Sequence, residues 1–224
     1  MASLLLFPVG VVAGVLAEAA AIEAPISEVR ERSKRLGLVA VATGLLFAAT
    51  PLVVGVNWVL PAYLWFVALT VSLTLTDIDS KLIPNRILFP GTAIALVLLA
   101  GGTLLDVLVG NVTVELGDLI RPLLGGGAYF LLLLIMAFVG PEGAMGGGDV
   151  KLGFLLGVFT AYPSWDVFMV AVLAAFILGG VVSLLLIITR IRDRKSAIAF
   201  GPYLIAGAYV ALAWGASIAE WYLG

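Results

Sequence analysis

Long apolar runs, one after another and separated by short polar turns, dictate what this chain can become. Many run for about 17–25 residues, the length an α-helix needs to cross the hydrocarbon core of a bilayer. The composition agrees: 62% of the 224 residues are hydrophobic and 12% charged, against about 45–50% and 25% in soluble domains. The expected fold class is therefore all-α, a polytopic membrane protein.

Eight spans are expected, at roughly 3–22, 37–56, 59–77, 86–102, 119–140, 150–163, 165–189 and 198–221. Met1 to Ala21 lacks a basic leading region, and its apolar run is long for a signal peptide, so it reads as the first span. With eight spans, eleven of the twelve basic residues collect on one side. They are Arg30, Arg32, Lys34, Arg35, Lys81, Arg86, Lys151, Arg190, Arg192, Arg194 and Lys195, leaving Arg121 opposite. The positive-inside rule makes the first side cytoplasmic and puts both termini outside. The loop 103–118, with Asp106, Glu115 and Asp118, then lies outside. Asn57 and Trp58 read as an outer turn with an aromatic anchor. Residues 1–224 read as a single integral-membrane domain, and nothing in the sequence sets an oligomeric state. The basic clusters at 30–35 and 190–195 read as topology determinants that also suit anionic lipid headgroups.

Composition narrows the chemistry further. Cysteine and histidine are both absent, which removes disulfides, thiolate sites, cysteine nucleophiles, imidazole bases and most zinc or haem ligation. No strongly basic face suits nucleic acid. No cofactor or metal is expected. Acid–base chemistry in such a chain rests on carboxylates, Lys or Tyr.

Two acidic motifs stand out, because ionisable groups near the hydrocarbon core are expensive. The first runs Thr76-Asp77-Ile78-Asp79-Ser80-Lys81-Leu82-Ile83-Pro84-Asn85. Asp77 ends the third span, where a carboxylate opposes the helix macrodipole. Asp79 points elsewhere on a helix, close to water and Lys81, so Asp77 is the stronger candidate. Pro84 stops the helix and holds Ile83 extended, and Asn85 is the expected N-cap of the fourth span. The second motif is Gly146-Gly147-Gly148-Asp149-Val150-Lys151-Leu152. Asp149 is the expected N-cap of the sixth span, behind glycines that let another backbone approach. Lys151 snorkels or tunes the acid. The spacing does not match a phosphate-binding loop. A cation held by Asp77, Asp79 and Asp149 is the weaker alternative. Glu18 within the first span and Glu142 beside the glycines read as interface and loop charges.

The pair of motifs resembles the signature of prepilin peptidases, polytopic aspartic proteases of the GxGD type. An Asp lies seven residues before an Ile-Pro proline, and a Gly-x-Gly-Asp-x-Lys-Leu stretch follows much later. Ala199-Phe200-Gly201-Pro202-Tyr203 is similar to the stretch that opens the last span in that family. The resemblance covers roughly residues 59–215. It implies Asp77 and Asp149 as the catalytic pair, with Asp79, Pro84, Gly146, Gly148, Lys151, Gly201 and Pro202 binding substrate or supporting the site. It also implies prepilin or pseudopilin substrates cut after a Gly at the cytoplasmic membrane face, and a multi-pass location in the cytoplasmic (inner) membrane. An archaeal preflagellin peptidase shares the same acids. Two departures concern the N-terminal part. Gly14-Val15-Leu16-Ala17-Glu18 stands where the family often has G-S-F-L-N, and the chain cannot carry the family's paired C-x-x-C motifs. Both put in question the N-methyltransferase activity that many such enzymes add. The alternative function is a proton- or cation-coupled transporter using the same aspartates. That reading favours acids at mid-span, whereas these lie at span ends.

Overall fold

A computed structural model describes residues 2–21, 29–140, 145–189 and 200–223, and every regular element among them is helical. In order these are α1 (Ala2–Ala21), α2 (Val29–Val54), α3 (Leu60–Ser80), α4 (Asn85–Leu108), α5 (Leu116–Val139), α6 (Gly147–Ala161), α7 (Trp165–Ile188) and α8 (Gly201–Leu223). Six helices, α2 to α5, α7 and α8, are long and apolar enough to cross a membrane. In α1 the described apolar stretch is Ser3–Leu16. Helix α6 has 15 residues, or about 22 Å at 1.5 Å per residue, short of a hydrocarbon core of about 30 Å.

Two helix ends depart from expectation. Helix α2 begins at Val29 rather than 37, so the backbone of the basic stretch 30–35 is helical. Hydropathy marks where a chain enters lipid, whereas Arg, Lys and Glu are good helix formers that carry the helix on beyond it. Helix α4 runs to Leu108, which takes Asp106 out of the expected outer loop and into a helix.

The chain divides into two compact units: Met1–Asp79 with Pro84–Thr113, and Ser80–Ile83 with Val114–Gly224. In the first unit, α1 and α2 pack through small residues. Gly10 lies against Phe47 and Gly44, and Gly14 lies against Ala40 and Thr43. Without a strong hydrophobic force between helices in lipid, such close backbone approach is how spans associate. Helices α3 and α4 meet where Trp65 Nε1 donates to the Gly91 carbonyl at 2.9 Å. The hydroxyls of α3 return to their own helix: Thr70 donates to Phe66 O, Ser72 to Ala68 O, Thr74 to Thr70 O and Thr76 to Leu73 O. These bonds let four polar side chains sit in a spanning helix. Asp106 is buried. Its Oδ2 accepts the Trp58 backbone N–H at 3.1 Å and its Oδ1 accepts from Asn111 Nδ2 at 3.0 Å. The carboxylate thus ties the chain entering α3 to the end of α4.

In the second unit α6 packs against α5, α7 and α8. It is apolar on every side, as a helix surrounded by neighbours must be, and buries Leu152, Leu155, Leu156, Val158 and Phe159. Gly125 and Gly126 of α5 face Gly157, Val158 and Ala161 of α6, and Gly207 of α8 faces Ala175 of α7. The C-terminal end of α6 is closed by Arg121. Its guanidinium donates to Ala161 O at 2.8 Å, Tyr162 O at 2.6 Å and Pro163 O at 3.1 Å. It also pairs with Asp118 at 2.7 Å. The carbonyls at a helix end have no partners within the helix, and one planar five-donor group satisfies several of them here. The lone basic residue on the non-cytoplasmic side of the expected topology is therefore a helix cap.

Candidate active site

Asp77 lies in the last turn of α3 with 4% of its surface exposed, and its Oδ2 is out of solvent. Asp79, two residues on, is exposed. Helix α3 ends because Lys81 takes a left-handed backbone, φ 52°, the conformation that terminates helices and that glycine adopts most cheaply. The three residues that follow differ in kind. Leu82 is exposed, Ile83 is buried at 8%, and Pro84 is extended at φ −71°, ψ 123°. The Pro84 carbonyl accepts the N–H groups of Ile87 and Leu88, each at 3.0 Å. Pro84 is thus the N-cap of α4, and Asn85 is its first helical residue rather than its cap. The ring presets φ while the carbonyl starts the helical ladder, which leaves no capping role for Asn85.

The second motif also starts its helix earlier than expected. Gly146 is the N-cap of α6, and Asp149 is the third residue of the helix. Asp149 Oδ2 accepts the Gly146 N–H at 3.3 Å. This is the acid's half of a capping box, in which the N3 side chain reaches back to the cap. The carboxylate is 7% exposed and its Oδ1 is out of solvent. The positive end of the α6 dipole faces it. Asp77 belongs to the first unit and Asp149 to the second.

The three glycines have three different surroundings. A Cβ at Gly147 would meet open space. One at Gly146 would lie 3.3 Å from the Asp149 carboxylate oxygen. One at Gly148 would lie 2.8 Å from Ile83 Cβ and 3.4 Å from the Ile83 backbone N. Gly148 is the position where a side chain is excluded. Lys151 follows in α6, half-buried. Gly201 is buried at the start of α8 with Pro202 next to it, where the missing N–H of proline costs nothing. Phe200 sits against Gly179, 5.8 Å from the Phe176 ring and 6.2 Å from the Tyr203 ring. Glu142, Arg190, Arg192, Arg194, Lys195 and Ala199 lie outside the described residues, as do the side chains of Glu18, Arg30, Arg32, Lys34 and Arg35. Among the described residues no group of three acids is gathered that could hold a metal ion.

What the fold defines is a polytopic, all-helical membrane protein that buries three aspartates at helix ends, Asp106 bonded to Trp58 and Asn111, and Asp77 and Asp149 in the two acidic motifs. The family model of the type IV leader peptidase family matches residues 64–184, more than half the chain and a range that includes Asp77 and Asp149. The chain belongs to that family. It is 36% identical over 196 residues to a prepilin leader peptidase/N-methyltransferase of Aeromonas hydrophila, covering 85% of this chain and 62% of that protein. It is 30% identical over 185 residues to one of Bacillus subtilis (strain 168), covering 81% and 66%. The chain thus spans about three-fifths of the length of the first of these relatives. No solved structure matches it.

Proposed function

We propose that the chain is an aspartic endopeptidase of the cytoplasmic membrane, cutting the short basic leader from prepilins or pseudopilins at the cytoplasmic face. The observation that carries the reading is the burial of Asp77 and Asp149 in a chain of this family, beside an exposed Asp79. A membrane protein keeps ionisable groups out of water only where they have a use. With His and Cys absent, these two carboxylates are the buried acid–base groups of the two motifs.

In the proposed mechanism the two carboxylates approach each other and share one proton, since two close carboxylates do not both ionise cheaply. The ionised member takes a proton from water as the water attacks the scissile carbonyl. The protonated member donates to the carbonyl oxygen and then assists departure of the amine. The leader stays in the cytoplasm while the apolar segment of the substrate lies among the spans. Gly146 admits its backbone beside Asp149, while Gly148 supports the site by leaving room for Ile83. N-methylation is left out of the proposal, because the chain lacks the cysteine pairs of that part of the family.

The test replaces each acid with Asn in cells that express a prepilin. In membranes where the variant inserts normally, uncut precursor should accumulate with D77N and with D149N, and D79N should be milder. Normal processing by D77N or D149N would remove that residue from the pair.

A further inference from the structure

We infer that Ile83 is a positioning residue: its side chain occupies the niche left by Gly148 and fixes the loop that follows Asp77 against the first turn of the helix that carries Asp149. The inference rests on the aspartate-pair reading and adds to it a contact that holds the turn after Asp77 on the helix of Asp149. Between Ser80 and Pro84, Ile83 alone is buried, while Lys81 and Leu82 beside it are exposed. Its place in the second unit, with Ser80–Ile83, follows from that docking.

Three features make the contact stiff. A Cβ at Gly148 would meet both the Ile83 side chain at 2.8 Å and its backbone N at 3.4 Å, so relief requires moving main chain as well as a rotamer. Ile is β-branched at that same Cβ and has little χ1 freedom to yield. Pro84 restricts the Ile83 backbone towards extended conformations, and its own carbonyl is bonded into α4. On the other side of the niche, Asp149 is the next residue in the chain, with its carboxylate tied back to Gly146. Asp77 is six residues from Ile83, a tether of at most about 20 Å when fully extended. A substituent at 148 therefore displaces the turn Ser80–Ile83 relative to α6. Displacement of reacting groups by about 1 Å costs on the order of 100-fold in rate.

The experiment uses the full chain in proteoliposomes with a synthetic prepilin, and normalises rates to inserted protein. G148A should lower kcat by roughly tenfold to 100-fold and change KM much less. I83G removes the obstructing Cβ, so the I83G/G148A double variant should recover kcat to near that of I83G. A double variant no faster than G148A would overturn the inference. The cysteine-free background provides a second readout independent of activity. Oxidation of I83C/G148C should form an intramolecular disulfide once the loop yields by about 1 Å, because the Cβ positions start 2.8 Å apart and the bond needs about 3.5–4.5 Å. Failure to crosslink would also overturn it. D77N and D149N are run alongside. Cleavage by either removes the aspartate pair, whereas absence of rescue with both aspartate variants inactive removes only the Ile83–Gly148 device.

Discussion

At the scale of single residues, the polar groups that matter here are those whose partners fix a helix end. Arg121 is the clearest case outside the motifs. Its bonds to three carbonyls at the end of α6 and to Asp118 supply the donors that the helix itself cannot. Arg121→Ala should destabilise the protein by about 2–3 kcal/mol, the cost of stranding such acceptors. Arg121→Lys should recover only part, since an ammonium cannot present a planar fork of donors. Thermal unfolding in detergent measures both, and equal midpoints for wild type and Arg121→Ala would refute the cap. None of this was legible in the sequence, where Arg121 appeared only as the one basic residue on the wrong side. Asp106 was hidden in the same way. It looked like a loop acid because nothing in sequence announces a carboxylate that bonds a backbone N–H 48 residues away.

At the scale of helices, hydropathy and glycine spacing carried most of the information. The all-helical membrane fold followed from run length, because bilayer thickness leaves a chain so few choices. Helix starts were less legible. Both expected caps, Asn85 and Asp149, proved to lie inside their helices by one and three residues. Side-chain preference pointed to Asn and Asp, whereas Pro84 and Gly146 supply the cap backbone and Asp149 reaches back from the third position. The role of Gly148 needed the fold as well, since its neighbour Ile83 is 65 positions away in the numbering. The glycines between α5 and α6 make a prediction of their own. A Cβ at Gly157 would meet the backbone of Gly125 and Gly126. Gly157→Ala should therefore cost about 1–3 kcal/mol through overpacking. Gly127→Ala, which meets open space, should change the unfolding midpoint little. Equal effects of the two would contradict close helix approach as the source of this packing.

For the whole molecule, the proposed topology puts both acidic motifs at the cytoplasmic surface and both termini outside. In that arrangement the exposed Trp58, Trp165, Trp214 and Trp221 would lie toward the outer interface and the exposed Phe89 and Phe138 toward the inner one. Because the chain has no cysteine, single cysteines can report the side directly. A cysteine at Ser80 should react with a membrane-impermeant maleimide only after the membrane is opened, and one at Asn111 should react in intact cells. The reverse pattern would invert the topology and with it the proposed cytoplasmic site. The central claim is that Asp77 and Asp149 act as one catalytic unit. The most direct test is the rate of prepilin cleavage by D77N, D149N and D77N/D149N, each normalised to inserted protein. The account predicts that each single variant loses on the order of 1,000-fold or more, and that the double variant is no slower than either, as groups acting as a unit are strongly non-additive. Losses that multiply in the double variant, or a single variant that still cleaves at the wild-type rate, would contradict it.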